Sequence, residues 1–187
     1  MQFHENGFVV GDPLVRPIAP TAATRDSDLP AEVDVLIAGT GPAGLLLAAQ
    51  LSAFPHITTR IVEKRGGPLQ VGQADGLSCR SVETFNTFDF AERIMKEAYW
   101  VNETVFWRPD PNNRASIVRT GRVQDVEDGL SEFPHIIVNQ ARVHDFFLDF
   151  MQKSPSRLEP DYGYEIVDVN VEPEGSHPVV ATLRHLD

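Results

Sequence analysis

VDVLIAGTGPAGLLLAAQLSAF, residues 33–54, is the stretch on which the fold turns. Its first six residues form an apolar run of strand length, the pattern of a strand buried on both faces. The run stops at the glycine-rich GTGPAG, residues 39–44. LLLAAQLSAF, rich in Leu and Ala, follows at helical length and ends before Pro55. TTRIVEKR, residues 58–65, then carries the β-branched and apolar residues of a second strand, closed by Gly66, Gly67 and Pro68. Strand, glycine turn, helix and strand in this order predict an α/β, Rossmann-like domain.

Gly39-Thr40-Gly41-Pro42-Ala43-Gly44 matches G-x-G-x-x-G, and each glycine answers a different demand. Gly39 permits the tight turn out of the strand. A side chain at Gly41 would hold the backbone away from a pyrophosphate, and Gly44 lets the helix pack closely on the strand. Free N–H groups at the helix start then face the anion. Glu63 stands 24 residues after Gly39 at the end of the second strand, where a carboxylate accepts a ribose hydroxyl hydrogen. The acid favours an unphosphorylated ribose, hence FAD or NAD over NADP, unless Arg65 compensates a 2′-phosphate.

Outward from this unit, residues 1–32 mix Pro13, Pro17, Pro20 and Pro30 with polar residues and no apolar period. They read as an N-terminal arm, flexible or docked, with residues 33–187 forming one domain. A helix is predicted from about Ser81 to Lys96, with Val82, Phe85, Phe88 and Ile94 as its apolar residues. YWVNETVFWRP and ASIVRTGRV flank the turn-forming PDPNN and read as an inserted antiparallel hairpin. HIIVN is a short strand leading into the helix QARVHDFFLDFMQK, whose Val143, Phe146, Phe147, Phe150 and Met151 recur at core spacing. YEIVDVNV and PVVATLRHL, separated by PEGSH, form a last strand pair.

Composition narrows the function. The 187 residues are 42% hydrophobic, 9% aromatic and 23% charged, the balance of an ordinary globular chain. A formal net charge of −11 offers no attraction for nucleic acid. No run reaches the roughly 20 apolar residues of a membrane span, and residues 1–10 lack a signal-peptide pattern. The expectation is a soluble, cytoplasmic protein with no membrane partner. A single cysteine, Cys79, makes no internal disulfide, the six histidines show no ligand spacing, and no metal is assigned. Ser78, Cys79 and Ser81 lack a hydrolase G-x-S-x-G context.

DVLIAGTGPAGLLLA, then IVEKR, GQADGLSCRSVETF and IIVNQARVHDFFLDF, resemble the N-terminal part of the FAD-dependent aromatic-ring monooxygenases, with the phenol 2-monooxygenase branch nearest. The resemblance runs from about Asp34 to the end of the chain. It implies a flavoprotein that uses NADPH and O2 to hydroxylate a small phenolic substrate. It further implies that Gly39, Gly41, Pro42, Ala43 and Gly44 hold the pyrophosphate, with Glu63, Lys64 and Arg65 at the adenosine ribose. Close relatives have Asp at the position of Glu63, so the carboxylate role survives. Gly72, Gln73, Ala74, Asp75, Gly76 and Leu77 match the loop beside the flavin, and Gln140 matches a glutamine that contacts the cofactor. Without the resemblance, Asp75-Gly76 reads as a turn and Gln140 as a surface residue opening a helix.

The resemblance also assigns Asp75 as the group that helps deprotonate the phenol. A phenol near pKa ~10 and an Asp near ~3.9 differ by about 6 units, roughly 8 kcal/mol for direct transfer. Burial of Asp75, or donors around the phenolate, would have to close that gap. Arg80, just past the loop, stays unassigned between an anion contact and a helix-end residue.

The family's later G-A-D-G segment, second flavin segment and substrate lid have no match in these residues. The expected fold is therefore an incomplete Rossmann-like FAD-binding domain with a hairpin insertion, inactive by itself. Its unpaired edge at strand 33–38 favours homo-oligomer formation or pairing with a missing C-terminal portion. The alternative is a dinucleotide-binding remnant or interaction module without catalysis.

Overall fold

The structure, a computed structural model, describes residues 11–23, 28–172 and 174–186. In chain order the elements are α1 (Pro20–Ala23), β1 (Val35–Ala38), α2 (Pro42–Leu51), β2 (Thr59–Glu63), β3 (Gly76–Leu77), α3 (Cys79–Asn86), α4 (Ala91–Glu97), β4 (Tyr99–Val101), β5 (Glu103–Pro109), β6 (Ile117–Gln124), β7 (His135–Ile137), α5 (Gln140–Lys153), β8 (Pro160–Tyr162), β9 (Tyr164–Val171) and β10 (Val179–His185). They fall into two compact units, one of Met1–Gln70 with His144–Asp187 and one of Val71–Val143.

The first unit is built on a parallel sheet in the order β1-β2-β8. Ile37 lies opposite Ile61, and Glu63 opposite Tyr162. α2 buries Leu45, Ala48 and Ala49, and Phe146, Phe147 and Met151 of α5 belong to the same core. The apolar run of β1 predicts burial on both faces. In the structure Ile37 is buried, Val35 and Leu36 are half-buried and Ala38 is exposed, so only one face is sealed. β1 also forms the edge of this sheet, as expected of strand 33–38. β9 and β10 make the antiparallel pair read from the sequence, with Val171 opposite Val179. β8 leaves no mark in the sequence, because Pro160-Asp161-Tyr162 has neither the length nor the alternation of a strand.

The described part of the arm is docked on this unit. Arg16 N–H donates to Lys153 O at 2.9 Å, Ala19 N–H to Pro155 O at 2.9 Å, and the Arg157 guanidinium to Arg16 O at 2.7 Å.

The second unit holds the antiparallel sheet β3-β7-β4 and the β5–β6 hairpin. Two expectations are corrected here. The helix predicted over 81–96 is broken into α3 and α4, with Asp89 at φ 59° between them. Phe88 and Phe90, two residues apart, cannot share one face of a continuous helix. The break lets both reach the core, where Phe90 lies 5.0 Å from Phe85 and 6.2 Å from Phe88 between ring centres. The hairpin is also shorter than read, because Tyr99–Val101 leaves it to pair with β7. Among the described residues, no helix is long and apolar enough to cross a membrane.

Candidate functional site

The turn from β1 into α2 shows why its three glycines differ. Gly39 has φ +88°, a conformation side chains rarely adopt, and its N–H donates to Val62 O at 2.7 Å. At Gly44 a Cβ would lie 2.1 Å from Gly39 O, so helix and turn are too close for any side chain. Gly41, the N-cap, has an ordinary φ of −62°, and a Cβ there would meet nothing within 4 Å. Neither backbone strain nor internal packing explains Gly41. Pro42 follows at the first helical position, where a missing N–H costs nothing, and no side chain caps the helix. The open space before Gly41 and the uncapped N–H groups of the first turn carry partial positive charge, which suits a phosphate group.

Beside this turn, Glu63 at the end of β2 is buried and surrounded by donors. Its Oε2 accepts from Thr40 N–H at 2.9 Å, Thr40 Oγ1 at 2.8 Å and Arg65 Nη2 at 3.1 Å, while Oε1 accepts from Arg65 N–H at 2.9 Å. Burial opposes ionisation of this carboxyl, but these hydrogen bonds outweigh it and lower the pKa to about 2. The Arg65 guanidinium also reaches Thr40 Oγ1 at 3.2 Å and stays partly exposed, as does Lys64. Glu63 thus ties the middle of the glycine turn to the second strand. Oε1 takes one of these bonds against three at Oε2, which leaves it acceptor capacity.

Sequence reasoning missed three residues around this carboxylate. Thr40 is an unconstrained x in the motif, yet it is 2% exposed and donates twice to Glu63. Tyr162 lies opposite Glu63, and burial together with the Glu63 charge pushes its hydroxyl pKa up. His144 of α5 is 2% exposed with Nε2 buried and without a partner, and burial followed by the charge of Arg65 keeps its pKa low. No spacing rule points to the last two, because they come from distant segments.

A second group of expected residues gathers in the other unit. A Cβ on Gly72 would sit 2.4 Å from Gln140 Cβ, and Gln73 N–H donates to Gln140 Oε1 at 2.9 Å. Val138 N–H donates to Asp75 O at 2.9 Å, and Gly76 and Leu77 pair with Ile137 and Ile136. The loop is therefore held by α5 and β7 through its backbone. Gln73, Ala74, Asp75 and Gly76 are exposed, so the burial invoked for Asp75 is absent here. Arg80 is 87% exposed and pairs with Glu83 at 3.1 Å, the helix-surface option left open above. Gly39–Gly44 and Glu63–Arg65 are assembled in one unit, and Gly72–Leu77 with Gln140 in the other.

Residues 32–182 match the FAD binding domain family. The chain is 55% identical over 188 residues to a 3-hydroxybenzoate 4-monooxygenase of Comamonas testosteroni, covering 100% of this chain and 29% of that protein. It is 28% identical to a phenol 2-monooxygenase of Aspergillus fumigatus, covering 82% of this chain and 24% of that one. Among solved structures, the flavin-dependent monooxygenase PieE, crystallised with FAD and substrate, superposes with a TM-score of 0.64 at 21% identity, covering 83% of this chain and 27% of PieE. The p-nitrophenol 4-monooxygenase of Pseudomonas putida gives 0.62 at 15% identity, covering 81% and 38%. The chain spans less than a third of the length of the curated relatives it matches.

Proposed function

The chain belongs to the FAD binding domain family, and from that premise we propose that it is the FAD-binding portion of a flavoprotein monooxygenase that hydroxylates phenolic substrates with NADPH and O2. The observation that carries this reading is Gly41. It is a glycine that the chain's own packing does not require, at an uncapped helix start, where an incoming pyrophosphate does require it. In this reading Gly39, Gly41, Pro42, Ala43 and Gly44 hold the pyrophosphate, and Glu63, Lys64 and Arg65 meet the adenosine ribose. Glu63 contributes through Oε1 while Oε2 keeps the turn in shape. FAD, when bound, supplies the redox chemistry that delivers one oxygen atom of O2 to the ring.

Gly72, Gln73, Ala74, Gly76 and Leu77, steadied by Gln140, line the flavin side of the second group, and Asp75 takes the phenol proton. Because Asp75 is exposed, the transfer relies on donors on the substrate side that stabilise the phenolate. Relatives more than three times as long support a further point, that these 187 residues alone hold flavin weakly and hydroxylate nothing at a useful rate. The exposure of Asp75 is also what favours the second reading, a dinucleotide-binding module without catalysis.

Calorimetric titration with FAD and NAD, followed by incubation with FAD, NADPH and phenol and analysis for catechol, tests both readings. The expected results are tighter binding of FAD than of NAD and no sustained catechol from these residues alone. Preference for NAD would overturn the flavoprotein reading. Sustained turnover would overturn the claim of inactivity.

A further inference from the structure

An Asp–His pair that the proposed function leaves unused lies in the same unit as the Gly72–Leu77 loop. His135 opens β7, and Asp125 follows β6, its N–H donating to Asn102 O at 3.1 Å. His135 Nδ1 and Asp125 Oδ2 are 2.7 Å apart, with the two side chains 30% and 18% exposed. The other ring nitrogen, Nε2, lies 3.4 Å from where a Cβ on Gly76 would be. β7 holds this arrangement from both sides, pairing Ile137 with Gly76 and His135 with Val101. The imidazole therefore lies between a carboxylate and the backbone of the residue that follows Asp75.

An ionised carboxylate only accepts hydrogen bonds, so the contact at Nδ1 requires a proton there whatever the charge of the ring. The atom left to gain or lose a proton is Nε2, which faces the loop. We propose that Asp125 is a positioning residue for the site carried by the Gly72–Leu77 loop. It acts through His135, fixing the ring so that Nε2 stands against Gly76 as a second proton-exchanging atom of that site. The inference rests on the reading of the loop given under Proposed function. It adds to that reading a residue 50 positions from Asp75 that no spacing rule connects to it. The same arrangement, a carboxylate setting the tautomer of a histidine whose far nitrogen does the work, is general in histidine chemistry.

Nitrogen-15 NMR of the histidine side chains tests this directly and needs no flavin. With the ring neutral, His135 is expected to carry its proton on Nδ1, the minor form of free histidine. Asp125→Ala should return it to the Nε2–H form, and Asp125→Glu should restore Nδ1–H at least in part. In a completed enzyme that carries these residues together with the rest of a relative's length, Asp125→Ala should lower kcat for a phenolic substrate about tenfold while the dissociation constant for FAD stays unchanged. An Nε2–H tautomer in the unsubstituted protein, or unaltered turnover in Asp125→Ala, would overturn the proposal. If Asp125→Ala fails to fold, His135→Gln in the same turnover assay decides, with unaltered kcat as the contrary result. Failure of the completed, unsubstituted enzyme to bind FAD would instead overturn the flavoprotein reading.

Discussion

The turn at Gly39–Gly44 and the loop at Gly72–Leu77 both carry glycines that contact backbone or side chain closely, but they are held in different ways. The turn sits at the end of β1, and its middle residue, Thr40, is fixed by a carboxylate that four hydrogen bonds hold ionised against the cost of burial. The loop is exposed over residues 73–76 and is held by one side-chain amide and a few backbone bonds. In the turn, charge and position are set together inside one unit. In the loop, position is set and the environment of Asp75 is left open. Changes at Gly44 and Glu63 should therefore act first on stability, and a change at Asp75 first on chemistry.

The largest effect is expected at Gly44→Ala. A Cβ would lie 2.1 Å from the carbonyl oxygen of Gly39, so helix and turn must separate. The cost is about 3 kcal/mol, or roughly a 10 °C fall in the midpoint of thermal unfolding. A midpoint within 2–3 °C of the unsubstituted protein would show that the turn is looser than described.

Glu63→Gln comes next. It replaces a buried acceptor of four bonds and should cost about 2 kcal/mol near neutral pH. The pH dependence has a definite sign. The folded pKa of about 2 lies below the ordinary value of 4.5, so the unfolded chain binds the proton more tightly. The stability from Glu63 is complete above pH 4.5 and is lost as pH falls toward 2. Urea unfolding at steps through that window should show a slope that Glu63→Gln flattens. Parallel curves for the two proteins would remove Glu63 from the account.

On the loop side, Gly72→Ala brings a Cβ to 2.4 Å from Gln140 Cβ and 3.2 Å from its Cα, atoms fixed to the α5 backbone, so loop and helix start must move apart. The cost should be about 2 kcal/mol, with faster hydrogen exchange at the Gln73 amide as the Gln140 bond is displaced. The smallest stability effect is expected at Asp75→Asn. Its exposed side chain predicts a change within about 0.5 kcal/mol and nearly intact FAD binding, while phenol hydroxylation falls when the substitution is made in a completed or fused enzyme. Unchanged turnover would remove Asp75 from the chemistry.

The same contrast explains what was legible in the sequence. The β1–turn–α2–β2 order, the hairpin of β5 and β6 and the closing pair β9–β10 announce themselves through contiguous patterns, because each is formed by neighbours in the chain. The break between α3 and α4 does not. It exists to bury Phe88 and Phe90 together, a demand of the core rather than of local propensity. β3 and β8 owe their existence to pairing with β7 and β2, and two or three residues carry no period of their own. At the site, Gly39, Gly44 and Glu63 could be read from spacing, and Gly72 and Gln140 through resemblance, which the structure joins by contact. Thr40, Tyr162 and the Asp125–His135 pair could not, since their partners are chosen by strand pairing and packing, and neither could His144, whose burial is set by the packing of α5.

Gly41→Ala tests the central claim most directly, because it separates a glycine required by the fold from one required by a ligand. Thermal unfolding and FAD titration would be measured on the substituted and unsubstituted proteins side by side. With no atom within 4 Å of the new methyl and an ordinary φ, the unfolding midpoint should stay the same. FAD affinity should fall about tenfold or more, at least 1.4 kcal/mol. Undiminished FAD binding with an unchanged midpoint would contradict the assignment of this turn as the pyrophosphate site.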